Sequence, residues 1–132
     1  MRVITGTARG RVLRTLEGED VRPTTDRVKE AVFSIIQFEI EGRRVLDLFA
    51  GSGQLGIEAL SRGADSATFV DMSKDSLATV KYNLEHTKLG DRAKVIQTDA
   101  LSFLKLTKDR FDIVFIDPPL SLIHISEPTR PY

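Results

Sequence analysis

Apolar residues along the chain follow two rhythms. Short runs centred on apolar residues occupy residues 45–49, 67–70, 94–97 and 111–116, the last nearly continuous. Between them, apolar positions recur every three or four residues. The runs predict strands, the second ending at Asp71 and the third near Asp99, and the spaced segments predict helices. One helix starts after a Thr24 or Thr25 cap and ends by Gly42, with Val28, Ala31, Val32, Ile35 and Ile36 on one face. Others cover residues 55–62, closed by Gly63, a segment capped by Ser73 and stopped at Gly90, and residues 100–106. Phe33, Phe38, Phe69, Phe103, Phe111 and Phe115 are assigned to the core. Strands alternating with helices argue a doubly wound α/β fold. The fourth run, Phe-Asp-Ile-Val-Phe-Ile, reads as a strand covered on both faces. Ahead of this pattern, residues 3–7 and 11–16 predict a hairpin around Ala8-Arg9-Gly10.

Composition narrows the class. At 132 residues, 41% hydrophobic and 29% charged, the chain suits one globular domain. It has no apolar run long enough to span a bilayer, and no signal peptide opens it, so a cytoplasmic location and no membrane partner are expected. The absence of cysteine excludes disulfides and thiolate chemistry. His86 and His124 have no ligand spacing, so no metal is expected. Net charge is zero, yet residues 1–14 carry Arg2, Arg9, Arg11 and Arg14 and no acid. Such an arm reads either as a contact for an anionic partner, nucleic acid first, or as a solvated edge whose charges block aggregation. The chain thus divides into a basic arm (1–22), an α/β domain (23–119) and a segment of different character (120–132). That last segment has two prolines and no helical cap. It resembles the in-frame translation of a transposase-based sequencing adapter and is expected to be non-native, so it is left out of the fold.

Four acids, Asp47, Asp71, Asp99 and Asp117, stand at or near the ends of the four predicted strands. In open α/β sheets the ligand crevice lies beyond those ends. Gly51-Ser52-Gly53 with Gly56 matches G-x-G-x-x-G between a strand and a helix, a pattern that nicotinamide and flavin cofactors also satisfy. Asp71 follows it at the spacing where a carboxylate meets ribose hydroxyls, and Asp99 lies where an adenine edge would sit. Asp117-Pro118-Pro119 separates the cofactors. Proline has no N–H, so this turn presents acceptors, which suits an amino group donating two hydrogen bonds. Bonds from an exocyclic base amine to the Asp117 carboxylate and the Pro118 carbonyl would favour a pyramidal nitrogen. Its freed lone pair could then attack an electrophilic methyl in line.

With these residues together, the chain resembles the N-terminal two-thirds of bacterial 16S ribosomal RNA guanine-N2 methyltransferases of the RsmD-like family. The resemblance rests on the opening Met-Arg-Val-Ile-Thr-Gly-Thr-Ala-Arg-Gly-Arg, on residues 22–31 (Arg-Pro-Thr-Thr-Asp-Arg-Val-Lys-Glu-Ala), on residues 47–53 and on Asp117-Pro118-Pro119. Residues 22–31 are the most family-specific. The resemblance implies a Rossmann-like S-adenosylmethionine-dependent methyltransferase fold with an incomplete sheet and an N-terminal β-hairpin extension. It implies S-adenosylmethionine as cofactor, with Asp47, Phe49, Ala50, Gly51, Ser52 and Gly53 holding the methionine moiety. Asp71 and Met72 would lie at the ribose, and Asp99 with the Ala100 N–H at the adenine. Asp117, Pro118 and Pro119 would orient the target amine, and Arg9, Arg11, Arg14, Arg22 and Arg27 would contact RNA. The implied partner is 16S ribosomal RNA or an assembling small subunit, met by a monomer, with the target base turned outward. The family's pattern has an aromatic residue after Asp-Pro-Pro, where this chain has Leu120. The family's sheet also has more strands than the four predicted, which would leave the fourth an apolar edge prone to aggregation. Three other readings stay open: a cofactor- or RNA-binding fragment without turnover, an N6-adenine DNA methyltransferase, and a dinucleotide-dependent oxidoreductase.

Overall fold

A computed structural model of the chain describes residues 1–16 and 26–118. The predicted Thr24 or Thr25 cap, the boundary of the arm at Arg22, and the 120–132 segment lie outside the described residues. Four helices and four strands alternate: α1 (Asp26–Ile36), β1 (Arg44–Asp47), α2 (Gln54–Ser61), β2 (Ser66–Asp71), α3 (Lys74–Thr87), β3 (Ala93–Gln97), α4 (Ala100–Leu106) and β4 (Ile113–Phe115). A single 3-10 turn at Gly90–Arg92 leads into β3. The strands form one parallel sheet in the order β3-β2-β1-β4, with Asp47 in register with Phe69 on one side and Phe115 on the other. This order places the reversal of connection between β1 and β4, where open α/β sheets bind their ligands.

Side chains alternate across the sheet, as strand geometry requires. Val45, Ala67, Phe69 and Phe115 join the larger core with Ile57, Leu60 and Val80. Leu46, Leu48 and Val70 face the other way and are covered by Phe103 of α4, with Phe111 packed at the margin. Asp99 caps α4 by accepting the Ser102 N–H at 2.8 Å, and Ser73 caps α3 by accepting the Ser76 N–H at 3.2 Å. α3 stops at Lys88, which takes the left-handed conformation (φ 61°), and Gly90 instead opens the 3-10 turn.

The structure shifts four expectations. The period of α1 is as predicted, but its phase is rotated by one residue: Lys29 and Phe33 face inward, while Val28 is 52% and Ile35 82% exposed. Phe33 takes the inward position because Phe115 lies 5.5 Å from its ring on one side and the Arg62 guanidinium 4.7 Å from it on another. Phe38, expected in the core, is exposed just past the helix end. β4 buries only Phe115; Val114 and Ile116 are exposed, because α4 covers β1 and β2 rather than β4. The arm makes one antiparallel bridge, Arg2 to Val12, rather than two strands. The backbone of residues 4–8 bonds instead to Glu58 and Ser61 of α2. No helix among the described residues is long and apolar enough to cross a membrane.

Candidate active site

The turn after β1 is suspended between its two neighbours. The Leu48 N–H donates to the Phe115 carbonyl at 3.1 Å, and the Ala50 N–H donates to the Val70 carbonyl at 3.0 Å. Gly53 then donates to Ala50 at 2.7 Å, closing the turn. Two of the glycines serve different needs. Gly51 has φ 56° and open space where a side chain would begin, leaving room for a ligand against the backbone. Gly56 lets α2 lie flat on the sheet, since a Cβ there would stand 2.4 Å from the Phe69 ring.

The acids are linked through this turn. Asp47 is fully buried at the end of β1, and its Oδ2 accepts the Gly56 N–H at 3.1 Å. Burial raises its carboxyl to about 7 against the stabilising Gly56 bond, with the Asp117 and Asp71 charges adding to the rise. Asp71, half-buried, accepts the Gly51 N–H on Oδ2 and the Ser73 N–H on Oδ1, both at 2.9 Å. It therefore ties the turn after β1 to the start of α3, and each oxygen keeps a lone pair for a further donor. Asp117 is exposed two residues past the position paired with Asp47, beside the half-buried Pro118. The structure thus brings Asp47, Asp71 and Asp117 together with the loop of Phe49, Ala50, Gly51, Ser52 and Gly53.

The other predicted residues divide. Asp99 stands past β3, but both its oxygens are engaged by Ser102, one by the N–H and the other by the hydroxyl at 2.7 Å. Those bonds hold its carboxyl below the usual range. Ala100 is half-buried in the first turn of α4, and Met72 is exposed beside Asp71. Arg9, Arg11 and Arg27 are exposed, and the Arg14 guanidinium lies 3.7 Å over the Tyr82 ring, which stacks on His86. Pro119 and Arg22 lie outside the described residues. Among the described residues, no cluster of three or more His, Cys, Asp or Glu side chains is arranged to hold a metal.

Two arrangements near the site escaped the sequence reading. The first is a buried charge cluster that fastens the arm. The Glu58 carboxylate accepts the N–H groups of Ile4 (2.9 Å) and Thr5 (3.0 Å), pairs with Lys29 Nζ at 3.2 Å and accepts Arg62 Nε at 2.8 Å. Lys29 Nζ also donates to the Arg2 carbonyl at 3.0 Å, and burial lowers its pKa against the pull of Glu58. Gly6 permits this docking: at φ 94°, a Cβ there would overlap the Ser61 carbonyl. The second is Asn83, fully buried in α3, which bonds to Arg14 and to Ser52. Asn in mid-helix is a weak signal, because it favours caps and turns. Lys29 gave none, since its spacing fits a solvated face.

A family model described as "Conserved hypothetical protein 95" matches residues 1–128. The chain belongs to this family, the RsmD-like proteins. It is 48% identical over 122 residues to a Bacillus subtilis (strain 168) protein named as a candidate rRNA methyltransferase, YlbH, covering 90% of this chain and 66% of the relative. It is 45% identical over 122 residues to the "Ribosomal RNA small subunit methyltransferase D" of Haemophilus influenzae, covering 90% and 63%. The chain therefore spans somewhat less than two thirds of the length of these curated relatives. A solved Escherichia coli structure, the candidate methyltransferase yhhF, superposes with a TM-score of 0.81 at 41% identity, covering 90% of this chain and 64% of that one. Sheet order and likeness together make this a Rossmann-like methyltransferase fold.

Proposed function

We propose that the chain carries the cofactor crevice and amine-orienting turn of an S-adenosylmethionine-dependent enzyme. That enzyme methylates the exocyclic N2 amine of a guanine in small-subunit (16S) ribosomal RNA. The observation that carries the reading is the charge of the crevice. Asp47, Asp71 and Asp117 lie close enough for the other two to raise Asp47, and the Gly56 N–H near the start of α2 is taken by Asp47. A pyrophosphate would meet three carboxylates there and lose a donor it normally uses, which weighs against a dinucleotide. A ligand with a sulfonium, an ammonium and a ribose diol has the opposite needs. The open space over Gly51 adjoins this acidic edge.

Bound there, S-adenosylmethionine would supply an electrophilic methyl group. In this reading Asp47 would take the ammonium, and Asp71 keeps acceptor capacity for ribose hydroxyls. Ala100 offers a backbone N–H for the adenine; Asp99 remains in this assignment only through lone pairs that Ser102 leaves over. Asp117 and the Pro118 carbonyl accept the two N–H bonds of the target amine. The guanine nitrogen would take the methyl and give up one proton, for which the Asp117 carboxylate is the assigned acceptor, with S-adenosylhomocysteine as the product to be released. Catalysis is then positioning of amine and methyl, joined by hydrogen bonds that strengthen as nitrogen becomes tetrahedral. Arg9, Arg11, Arg14, Arg22 and Arg27 would meet phosphates of a 16S RNA or an assembling subunit, in the cytoplasm and as a monomer. The names of the relatives support the RNA substrate.

The test is labelled S-adenosylmethionine with unmethylated 16S ribosomal RNA, digested to nucleosides. N2-methylguanosine is expected, with Asp117→Asn lowering the rate at least about a hundredfold, the low end for a lost acid–base group. Label on adenine N6 or on DNA, or an Asp117→Asn variant at full rate, would contradict the assignment.

A further inference from the structure

The arm and the cofactor turn share one side chain. Asn83 projects from the middle of α3 and is fully buried. Its Oδ1 accepts the Arg14 N–H at 2.8 Å, and its Nδ2 donates to the Arg14 carbonyl at 3.0 Å. The second Nδ2 proton goes to the Ser52 carbonyl at 2.9 Å, inside the glycine turn. One planar amide thus reads both backbone groups of an arm residue and one of the turn. The three bonds share one rigid plane, so a shift of Arg14 that rotates the amide would also draw its proton off Ser52. The arm is anchored at its other end on α2, where Thr7 donates to the Ser61 carbonyl at 2.8 Å and Ala8 to Ser61 Oγ at 2.9 Å. α2 is the helix that the same turn begins. The arm therefore spans both elements that follow from the cofactor crevice, and Asn83 closes the loop between them.

We propose that Asn83 is a positioning residue that couples the two substrates, so that RNA held by the arm and cofactor held by the Gly51–Gly53 turn strengthen each other's binding. The inference rests on the proposed function and goes beyond it in naming the coupling and the group that transmits it. RNA that draws the arm into one position fixes the amide. The fixed amide holds the Ser52 carbonyl, and the turn is presented to cofactor already ordered. By reciprocity, bound cofactor orders the arm for RNA.

The experiment is calorimetric titration of S-adenosylhomocysteine into the chain, alone and with a saturating 16S ribosomal RNA transcript. RNA is expected to tighten cofactor binding at least about fivefold, the lower end of ordinary coupling between sites. Asn83→Asp keeps the acceptor for the Arg14 N–H and loses both donors, so its coupling should fall to about onefold while each ligand still binds alone. Tyr82→Leu removes the ring under Arg14 but leaves the three backbone bonds, and it should retain the coupling. Coupling unchanged in folded Asn83→Asp, or lost only in Tyr82→Leu, overturns the proposal. A wild-type chain that binds both ligands independently also overturns it, while leaving the enzymatic reading intact. A wild-type chain that binds neither contradicts that reading itself. Should Asn83→Asp not fold, amide exchange on the wild type decides: RNA alone is expected to slow the Gly53 amide severalfold, and no change overturns the coupling.

Discussion

Asp47 holds a carboxyl where water is excluded and two other acids stand near, which makes it the residue whose charge state governs the site. Its pKa of about 7 in the folded protein exceeds the value of about 4 expected in the unfolded chain. The folded state therefore binds an extra proton between about pH 4 and pH 7. Stability falls through that window and levels off above it, by a burden on the order of 4 kcal/mol. Asp47→Asn should melt several degrees higher than wild type at pH 8 and equally near pH 4, a comparison for thermal denaturation followed by circular dichroism. A ligand ammonium prefers the ionised form, so S-adenosylhomocysteine affinity should rise about fivefold between pH 6 and pH 7, about tenfold by pH 8, and then flatten. Affinity that is flat over pH 6 to 8 would detach Asp47 from the ligand. Much at this scale was legible beforehand: Asp47, Asp71 and Asp117 sit at strand ends, and strand ends are set by the apolar pattern. The partners were not, because the Gly56 N–H and the Ser73 N–H come from turns whose direction depends on packing.

Among elements, the arm is joined to the domain by charge rather than by strand pairing. Glu58 on α2 receives Lys29 from α1, Arg62 from its own helix and two arm N–H groups. Removing one partner of such a buried pair strands the other. Glu58→Ala should therefore lose about 3–5 kcal/mol, read as a lower denaturant midpoint. Glu58→Gln combined with Lys29→Met should lose clearly less than the sum of the single changes, since Lys29 is then not left buried without its carboxylate, while Arg62 keeps partial access to water. The same cluster explains the misplaced face of α1. Periodicity reports which residues share a face, but Lys29 in place of an apolar residue hid which face turns inward. A hairpin was legible as a reversal of the chain at residues 8–10. Its shortness was not, because Ser61 and Glu58 compete for its backbone groups.

Across the whole molecule, the sheet has a covered half and a bare one. The β2–β1 centre is packed on both faces, whereas β4 forms an edge with Val114 and Ile116 exposed, and α1 presents Ile35 beside exposed Phe38. An apolar edge of this kind pairs with other chains. Light scattering of the chain should rise with concentration, and Ile116→Lys should reduce it; indifference to that change would place association elsewhere. The doubly wound parallel sheet followed from strand–helix alternation, while the order β3-β2-β1-β4 and the exposure of β4 depended on packing, the latter on how far α4 reaches. The central claim is that the acidic crevice at the β1–β4 switch receives S-adenosylmethionine. It is met most directly by calorimetric titration of S-adenosylhomocysteine into the chain, with NADH as the rival ligand. Saturable binding of S-adenosylhomocysteine alone, weakened at least tenfold in Asp71→Ala, is the expected result. A folded chain that prefers NADH, or that binds neither, would contradict the account.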